Sequence, residues 1–274
     1  MNVIATIIAR TNSRRLPKKV LEKIDGKPLI SHLIGIVQQC QNIDSLYVAT
    51  SWEDEDAILC EIAEQEGIKS FKGDPLSVID RMIAVGVKEN ADYIIRVTGD
   101  NPLTDHFILD KLIKNTVEDN FDYGRAEGLP IGSTAEVIKF EALKECRRQI
   151  DPLESEYLML FLYNPSMFDV LVLDFSTWVP ENLTLTVDTS EDLIRTRFIQ
   201  ENAPAGLRSS LVEILDLHQK TPIPFIRYES NGEVKLPGGE KMTFADFKDQ
   251  MEIRKNDSKS VVIVGKVEYL EWVV

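Results

Sequence analysis

Apolar runs of strand character alternate with amphipathic stretches of helical character along most of the chain. Residues 3–9 (Val-Ile-Ala-Thr-Ile-Ile-Ala) are almost continuously apolar and β-branched, the pattern of a strand covered on both faces. Across residues 28–39, Leu29, Ile30, Leu33, Ile34, Ile36 and Val37 fall on one helical face. Residues 46–50 predict the next strand, and 53–65 a helix that turns Ala57, Ile58, Cys60, Ile62 and Ala63 inward. A short strand at 70–71, a helix at 76–88 and a strand at 93–98 follow, the last ending at Gly99-Asp100. Further on, the pattern predicts a helix over 107–117, a strand over 134–138, a helix over 154–163 and a strand over 168–175. Residues 183–187 read as a strand capped by Asp188, and 191–202 as a helix with Ser190 as its N-cap. This β-α alternation predicts the α/β class with a mainly parallel, doubly wound sheet. No internal repeat or low-complexity tract interrupts it.

The pattern changes at Thr221-Pro222-Ile223-Pro224. Beyond it, Asn231-Gly232 lies between two apolar-alternating runs and signals a hairpin, and residues 261–264 and 267–274 are β-rich. The expected organisation is therefore a main domain over 1–221 and a small β-rich appendage over 222–274. The appendage carries no catalytic signature and is expected to serve as an oligomer contact.

Composition narrows the function. At 274 residues, 43% hydrophobic and 28% charged, the chain has the make-up of an ordinary soluble globular protein. No run approaches the roughly 20 apolar residues of a membrane span, and the amino terminus enters a strand without the features of a signal peptide. Cys40, Cys60 and Cys146 have no metal-ligand spacing and fit a reducing cytoplasm. With 45 acidic against 31 basic residues and a net charge of -14, neither nucleic acid nor an anionic membrane is an expected partner. A protein acting on small molecules remains.

Against that acidic background, five of the ten residues from Arg10 to Lys19 are cationic: Arg10, Arg14, Arg15, Lys18 and Lys19. They begin where the first strand stops and are closed by Leu16-Pro17. Such a charge run is ordinarily a solvated loop; placed at the carboxyl end of a first buried strand, it is an anion trap suited to a phosphate chain. Neither a Gly-Lys-Ser/Thr phosphate loop nor a Gly-x-Gly-x-x-Gly dinucleotide turn is present.

Two further motifs place acids at strand ends. Arg96-Val97-Thr98-Gly99-Asp100-Asn101-Pro102 delivers Asp100 where ligands of open α/β sheets bind, with Gly99 expected to permit a sharp turn. Leu185-Thr186-Val187-Asp188 does the same for Asp188, with Glu191 and Asp192 serving the following helix. Either acid alone reads as a turn or cap. Converging on one basic loop, they suit magnesium, a hard cation that takes carboxylate and phosphate oxygens. His32, His106 and His218, and the tryptophans Trp52, Trp178 and Trp272, read as structural.

In this order and spacing the three motifs resemble those of the CTP-dependent cytidylyltransferases that activate acidic sugars such as acylneuraminate and KDO, nearest to the SpsF-type spore-coat branch. The resemblance covers roughly residues 1–220. It implies a Rossmann-like nucleotidyltransferase fold of the GT-A kind, a three-layer arrangement, and a homodimer. It implies that Ala9, Arg10, Asn12, Ser13, Arg15, Lys19 and Thr98 surround the nucleotide, with Asp80-Arg81 near the nucleoside. Lys19, Arg10 and Asp100 would be catalytic, Asp100 and Asp188 would bind Mg2+, and Gly132, Ser133 and Glu136 would line the acceptor pocket. The sequence departs from the family at Lys18, where Gly is frequent, at Ser155-Glu156-Tyr157 in place of Arg-Glu-His, and at Thr184 in place of Arg. The implied activity is transfer of CMP from CTP to an acidic sugar or a phosphorylated or phosphonate small molecule, releasing pyrophosphate. A nucleotidyltransferase using another triphosphate, or a nucleotide-binding homologue without turnover, stays open. A glycosyltransferase would call for Asp-x-Asp at a strand end, which is missing.

Overall fold

The structure, a computed structural model, describes every residue except 14, 229–231, 264, 267, 268, 270 and 272–274, and omits the side chains of 155 and 156. The first half contains β1 (Val3–Ile8), the small hairpin β2 (Lys23–Ile24) and β3 (Lys27–Pro28), α1 (Leu29–Val37), β4 (Ser45–Ser51), α2 (Ala57–Gln65) and β5 (Lys69–Gly73). Then come α3 (Val78–Glu89), β6 (Tyr93–Thr98), α4 (His106–Glu118), β7 (Tyr123–Glu127), β8 (Glu136–Lys139) and α5 (Phe140–Gln149). The second half holds α6 (Leu158–Leu162), β9 (Val170–Asp174), α7 (Ser190–Asn202), α8 (Leu211–Lys220), β10 (Glu233–Lys235), β11 (Lys241–Thr243), α9 (Phe244–Asn256) and β12 (Lys259–Val262).

Eight strands form one sheet in the order β12-β9-β7-β8-β6-β1-β4-β5. Every neighbouring pair is parallel except those of β8, which runs against both β6 and β7. The continuous apolar strands are explained by two cores, one on each face. On β1, Ala5 and Ile7 enter one core and Ile4 the other; on β6, Ile95 and Val97 enter one and Ile94 the other. Helices cover both faces, so the three-layer α/β expectation holds. Parallel strands end together, so the carboxyl ends of β1, β4, β6, β7 and β9 share one edge of the sheet.

Several boundaries differ from the periodic reading. Residues 183–187 are extended but join no ladder: the N–H groups of Thr184, Leu185 and Val187 donate to Ile226 O (2.8 Å), Ile131 O (2.7 Å) and Asp100 O (2.8 Å), all carbonyls of loops. The cap of α7 is Thr189 rather than Ser190, because a capping box pairs Thr189 with Asp192 and draws Ser190 into the helix. The predicted helix over 154–163 opens as a 3-10 helix, Pro152–Tyr157, before α6 begins. Strand β7 and helices α5 and α8 were not singled out by periodicity.

The largest difference lies after Thr221. The segment expected to be β-rich contains the 13-residue helix α9, and β12 extends the main sheet beside β9 rather than standing apart. Its hairpin also falls elsewhere. β10 pairs with β11 through a turn at Pro237-Gly238-Gly239, where both glycines have positive φ. Asn231 and most of 267–274 lie outside the described residues. Among the described residues, no helix is long and apolar enough to cross a membrane.

Candidate active site

The basic loop is tied down at its root. Thr11, at the end of β1, donates its N–H (2.7 Å) and its hydroxyl (2.8 Å) to Asp56 Oδ1, while Ser51 at the end of β4 donates to Asp56 Oδ2 at 2.5 Å. Asp56 is 1% exposed. Burial alone would raise its pKa, but these hydrogen bonds and the charge of Arg10 hold it below the ordinary carboxylate value. The loop is closed by Lys18 N–H donating to Thr11 O at 2.8 Å, with Lys18 in the left-handed region at φ 59°. That backbone conformation explains why the resembling family favours Gly there.

A 3-10 turn over Lys19–Leu21 then carries Lys19 inward. Its ammonium lies 2.6 Å from Asp100 Oδ2 and 2.7 Å from Asp188 Oδ1, and Arg15 reaches Asp188 Oδ2 at 2.8 Å. The Lys19 side chain is 10% exposed. Burial works to lower its pKa, yet the two carboxylates outweigh burial and leave it raised. Three segments far apart in the sequence thus meet at one point.

Backbone packing aligns the two acids. A Cβ on Gly99 would stand 2.8 Å from Ala9 Cβ, so the ends of β1 and β6 pass too closely for any other residue. Gly99 is therefore required for close approach and not for a positive-φ turn. Asp188 N–H is held by Asp192 Oδ2 at 2.9 Å. Fully buried Arg195 clamps the same stretch: its guanidinium donates to Asp192 Oδ1 (2.6 Å), Phe225 O (2.9 Å) and Thr186 O.

Other predicted residues fall into two groups. Arg10 lies near Asp56 and Arg81; burial first, and Arg10 second, push Arg81 down to about 10. Arg81 donates to Asp74 O at 2.6 Å, beneath Gly73. Asp80, by contrast, joins Ser77 Oγ (2.7 Å) and Arg147 Nε (2.6 Å), so its carboxylate links α3 to α5 and not to the basic loop. Asn12 and Ser13 lie on the loop, exposed and half-buried; Arg14 is outside the described residues.

Where the acceptor pocket is expected, Thr98, Asn101, Thr134, Glu136, Arg96 and Arg125 border a cleft of about 220 Å³. Glu136 accepts from Arg96 and Tyr123; burial works to raise its pKa, and these partners lower it on balance. Gly132 has φ 90°, and a Cβ there would stand 2.6 Å from Thr186 N. Ser133 is buried and internal, its hydroxyl donating to Pro130 O at 2.8 Å. Asp56, Arg125 and Arg195 escaped the sequence reading. A charge inside an apolar strand was the available signal for Arg96, whereas Asp56 is one acid among several in Glu53-Asp54-Glu55-Asp56. Trp52, expected as a packing residue, is 61% exposed; Trp178 packs against Phe175 and Tyr269.

A family model described as cytidylyltransferase matches residues 4–168. The chain belongs to the cytidylyltransferase family. Such an enzyme is a CTP-dependent nucleotidyltransferase. This cytidylyltransferase is 32% identical over 236 residues to the spore coat polysaccharide biosynthesis protein SpsF of Bacillus subtilis, covering 81% of this chain and 96% of that protein. It is 33% identical over 120 residues to the 3-deoxy-manno-octulosonate cytidylyltransferase of Pelobacter propionicus, covering 43% of this chain and 46% of the relative. In fold it is similar to a cytidylyltransferase from Leptospira borgpetersenii, with TM-score 0.76 and 22% identity over 84% of this chain and 99% of that one.

Proposed function

We propose that this cytidylyltransferase transfers CMP from CTP to an acidic sugar, with the basic loop holding the triphosphate and Asp100 and Asp188 holding a divalent metal. The observation that carries the reading is the Lys19 ammonium within 2.7 Å of both carboxylates, at the sheet edge where the basic loop ends. The acid-sugar acceptor is supported by the likeness to the 3-deoxy-manno-octulosonate enzyme.

The donor set fits a hard divalent cation. Two carboxylates meet beside a loop suited to phosphates, and magnesium characteristically takes one or two carboxylates with substrate phosphates and water. Among the described residues no third His, Cys, Asp or Glu joins them, so Asp100 and Asp188 are the residues that would hold the ion. When bound, Mg2+ would supply charge neutralisation at the phosphates.

The chain's own residues then have defined tasks. An acceptor oxygen attacks the α-phosphorus of CTP; the bond from that phosphorus to the bridging oxygen breaks, and pyrophosphate leaves with the electron pair. Lys19, Arg15 and Arg10 offset the charge gathering on the leaving group, a stabilisation that needs only fixed cations. The loop root at Thr11–Asp56 fixes where those cations stand, and the cleft beside Thr98 and Glu136 orients the acceptor. An acceptor whose attacking oxygen enters already ionised needs no general base from the chain.

The homodimer implied by the resemblance and the cytoplasmic setting read from the cysteines belong to the same proposal, and sedimentation analysis tests the first. The activity is tested by pyrophosphate release with the four ribonucleoside triphosphates against a panel of acidic sugars and phosphorylated small molecules. Turnover with CTP that stops on chelation and returns with Mg2+ is expected. Turnover with UTP or ATP instead, or CTP binding without turnover on any acceptor, would overturn it.

A further inference from the structure

A second cavity, also of about 220 Å³, opens at the same edge of the sheet, where β7 and β9 end at the register partners Glu127 and Asp174. Gly128 in its lining has φ 70°, and a Cβ there would stand 2.3 Å from Ser176 N, so the chain leaving β7 passes that leaving β9 too closely for any side chain. One wall is the segment after β9 that runs on toward Asp188, and the roof is α9, through Phe244, Lys248 and Glu252.

The lining is specific in character. Tyr228 and Phe244 meet edge to face, with ring centroids 5.8 Å apart at 70°, and form an aromatic corner. Around it stand paired charges: Lys248 with Glu181 (2.9 Å), and Lys255 with Asp174 (3.2 Å) and Glu252 (2.8 Å). Glu127 is the remaining carboxyl, raised above the ordinary value by burial. Carboxylates outnumber ammonium groups four to two in the lining, which disfavours a phosphate or a nucleotide. An aromatic face ringed by alternating donors and acceptors instead suits a polyhydroxylated ring or chain, with its C–H side on the rings and its hydroxyls on the charged groups.

This recess adjoins the acceptor side. Arg125 borders the cleft that holds Thr98 and Glu136, Glu127 borders the recess, and the two are joined at 3.2 Å. Two residues apart on β7, they share a face of the sheet, about 7 Å from one to the other. The Arg125–Glu127 ion pair thus links the lining of one cavity to that of the other. We propose that the α9-roofed recess is a carbohydrate subsite, built in part by the carboxyl-terminal segment, that holds a hydroxyl-rich part of the acceptor remote from its reacting oxygen. This rests on the acid-sugar reading above.

The experiment is saturation-transfer NMR on the full chain with CTP present, using KDO, N-acetylneuraminate and N-acetylglucosamine as probes. At least one sugar is expected to bind, and its affinity should fall about 10-fold in Phe244→Ala and in the exposed-site variant Lys248→Ala, with CTP affinity retained as evidence of folding. Sugar binding unchanged in both variants, or absent for all three probes, overturns the subsite. Sugar binding lost in both variants while pyrophosphate release from CTP never appears would instead sink the transfer reading.

Discussion

Lys18 and Lys19 are neighbours with opposite demands. Lys18 accepts a left-handed backbone so that Lys19 can turn inward, a conformation that costs a non-glycine residue about 1–2 kcal/mol. Lys18→Gly should therefore raise stability by about 0.5–1 kcal/mol, the remainder being offset by the greater freedom of glycine in the unfolded chain; urea denaturation checks this. Lys19→Ala should lower kcat/KM for CTP by about 100- to 1,000-fold with the circular dichroism unchanged, since it removes a fixed cation from the leaving group. A variant with wild-type turnover would remove Lys19 from the mechanism. The basic run and both acids could be read from the sequence because each follows directly on an apolar run of strand-like pattern. Their common target was visible only in three dimensions: Lys19 and Asp188 are 169 residues apart.

At the scale of elements, the site is held by side chains that bridge strand ends to loops. Asp56 binds the end of β4 to Thr11 of the basic loop, and its folded pKa lies below the ordinary value. A depressed carboxylate contributes stability above its unfolded pKa and loses it as the pH falls through the folded one. The wild-type denaturation midpoint should accordingly drop as the pH falls below about 4, and Asp56→Asn should flatten that slope. Asp56→Ala should cost about 2–4 kcal/mol and raise KM for CTP, because it leaves three buried donors unpaired. Such bridging residues were hidden from the sequence for a physical reason. An acid in an acidic helix start, or Arg195 within α7, looks like any solvated charge until burial and partners are known. Extended residues 183–187 misled for a related reason: their β-like pattern is satisfied by loop carbonyls rather than by a neighbouring strand.

For the whole molecule, the sheet is continuous into the carboxyl-terminal segment. β12 covers the open edge of β9, Met251 of α9 enters the second core, and Arg254 donates to Leu160 O (2.6 Å) and Tyr163 O (2.7 Å) of the α6 region. Truncation after Thr221 should lower the thermal midpoint by about 10 °C or more and, by baring a sheet edge, promote association visible in size-exclusion chromatography. A truncated chain with an unaltered midpoint and mass would show that the segment is dispensable. The doubly wound core was legible because its strands are buried on both faces and read as unbroken apolar runs. The final segment was not, since α9 has only one fully buried residue, Met251, and only Phe244 and Phe247 join it at helical spacing among many charges.

The reversed strand β8 has a consequence for how such an enzyme can change its clientele. Its neighbours bring residues to the reactive rim as they leave the sheet, whereas β8 does so as it enters, so the connection over 128–135 arches across the rim between two fixed rails. That arch also seats the segment ahead of Asp188, through the Ile131 carbonyl under Leu185 and the close pass of Gly132 by Thr186, so a change there is felt at the second acid. Exchange of the arch is thereby coupled, in the architecture itself, to the seating of Asp188.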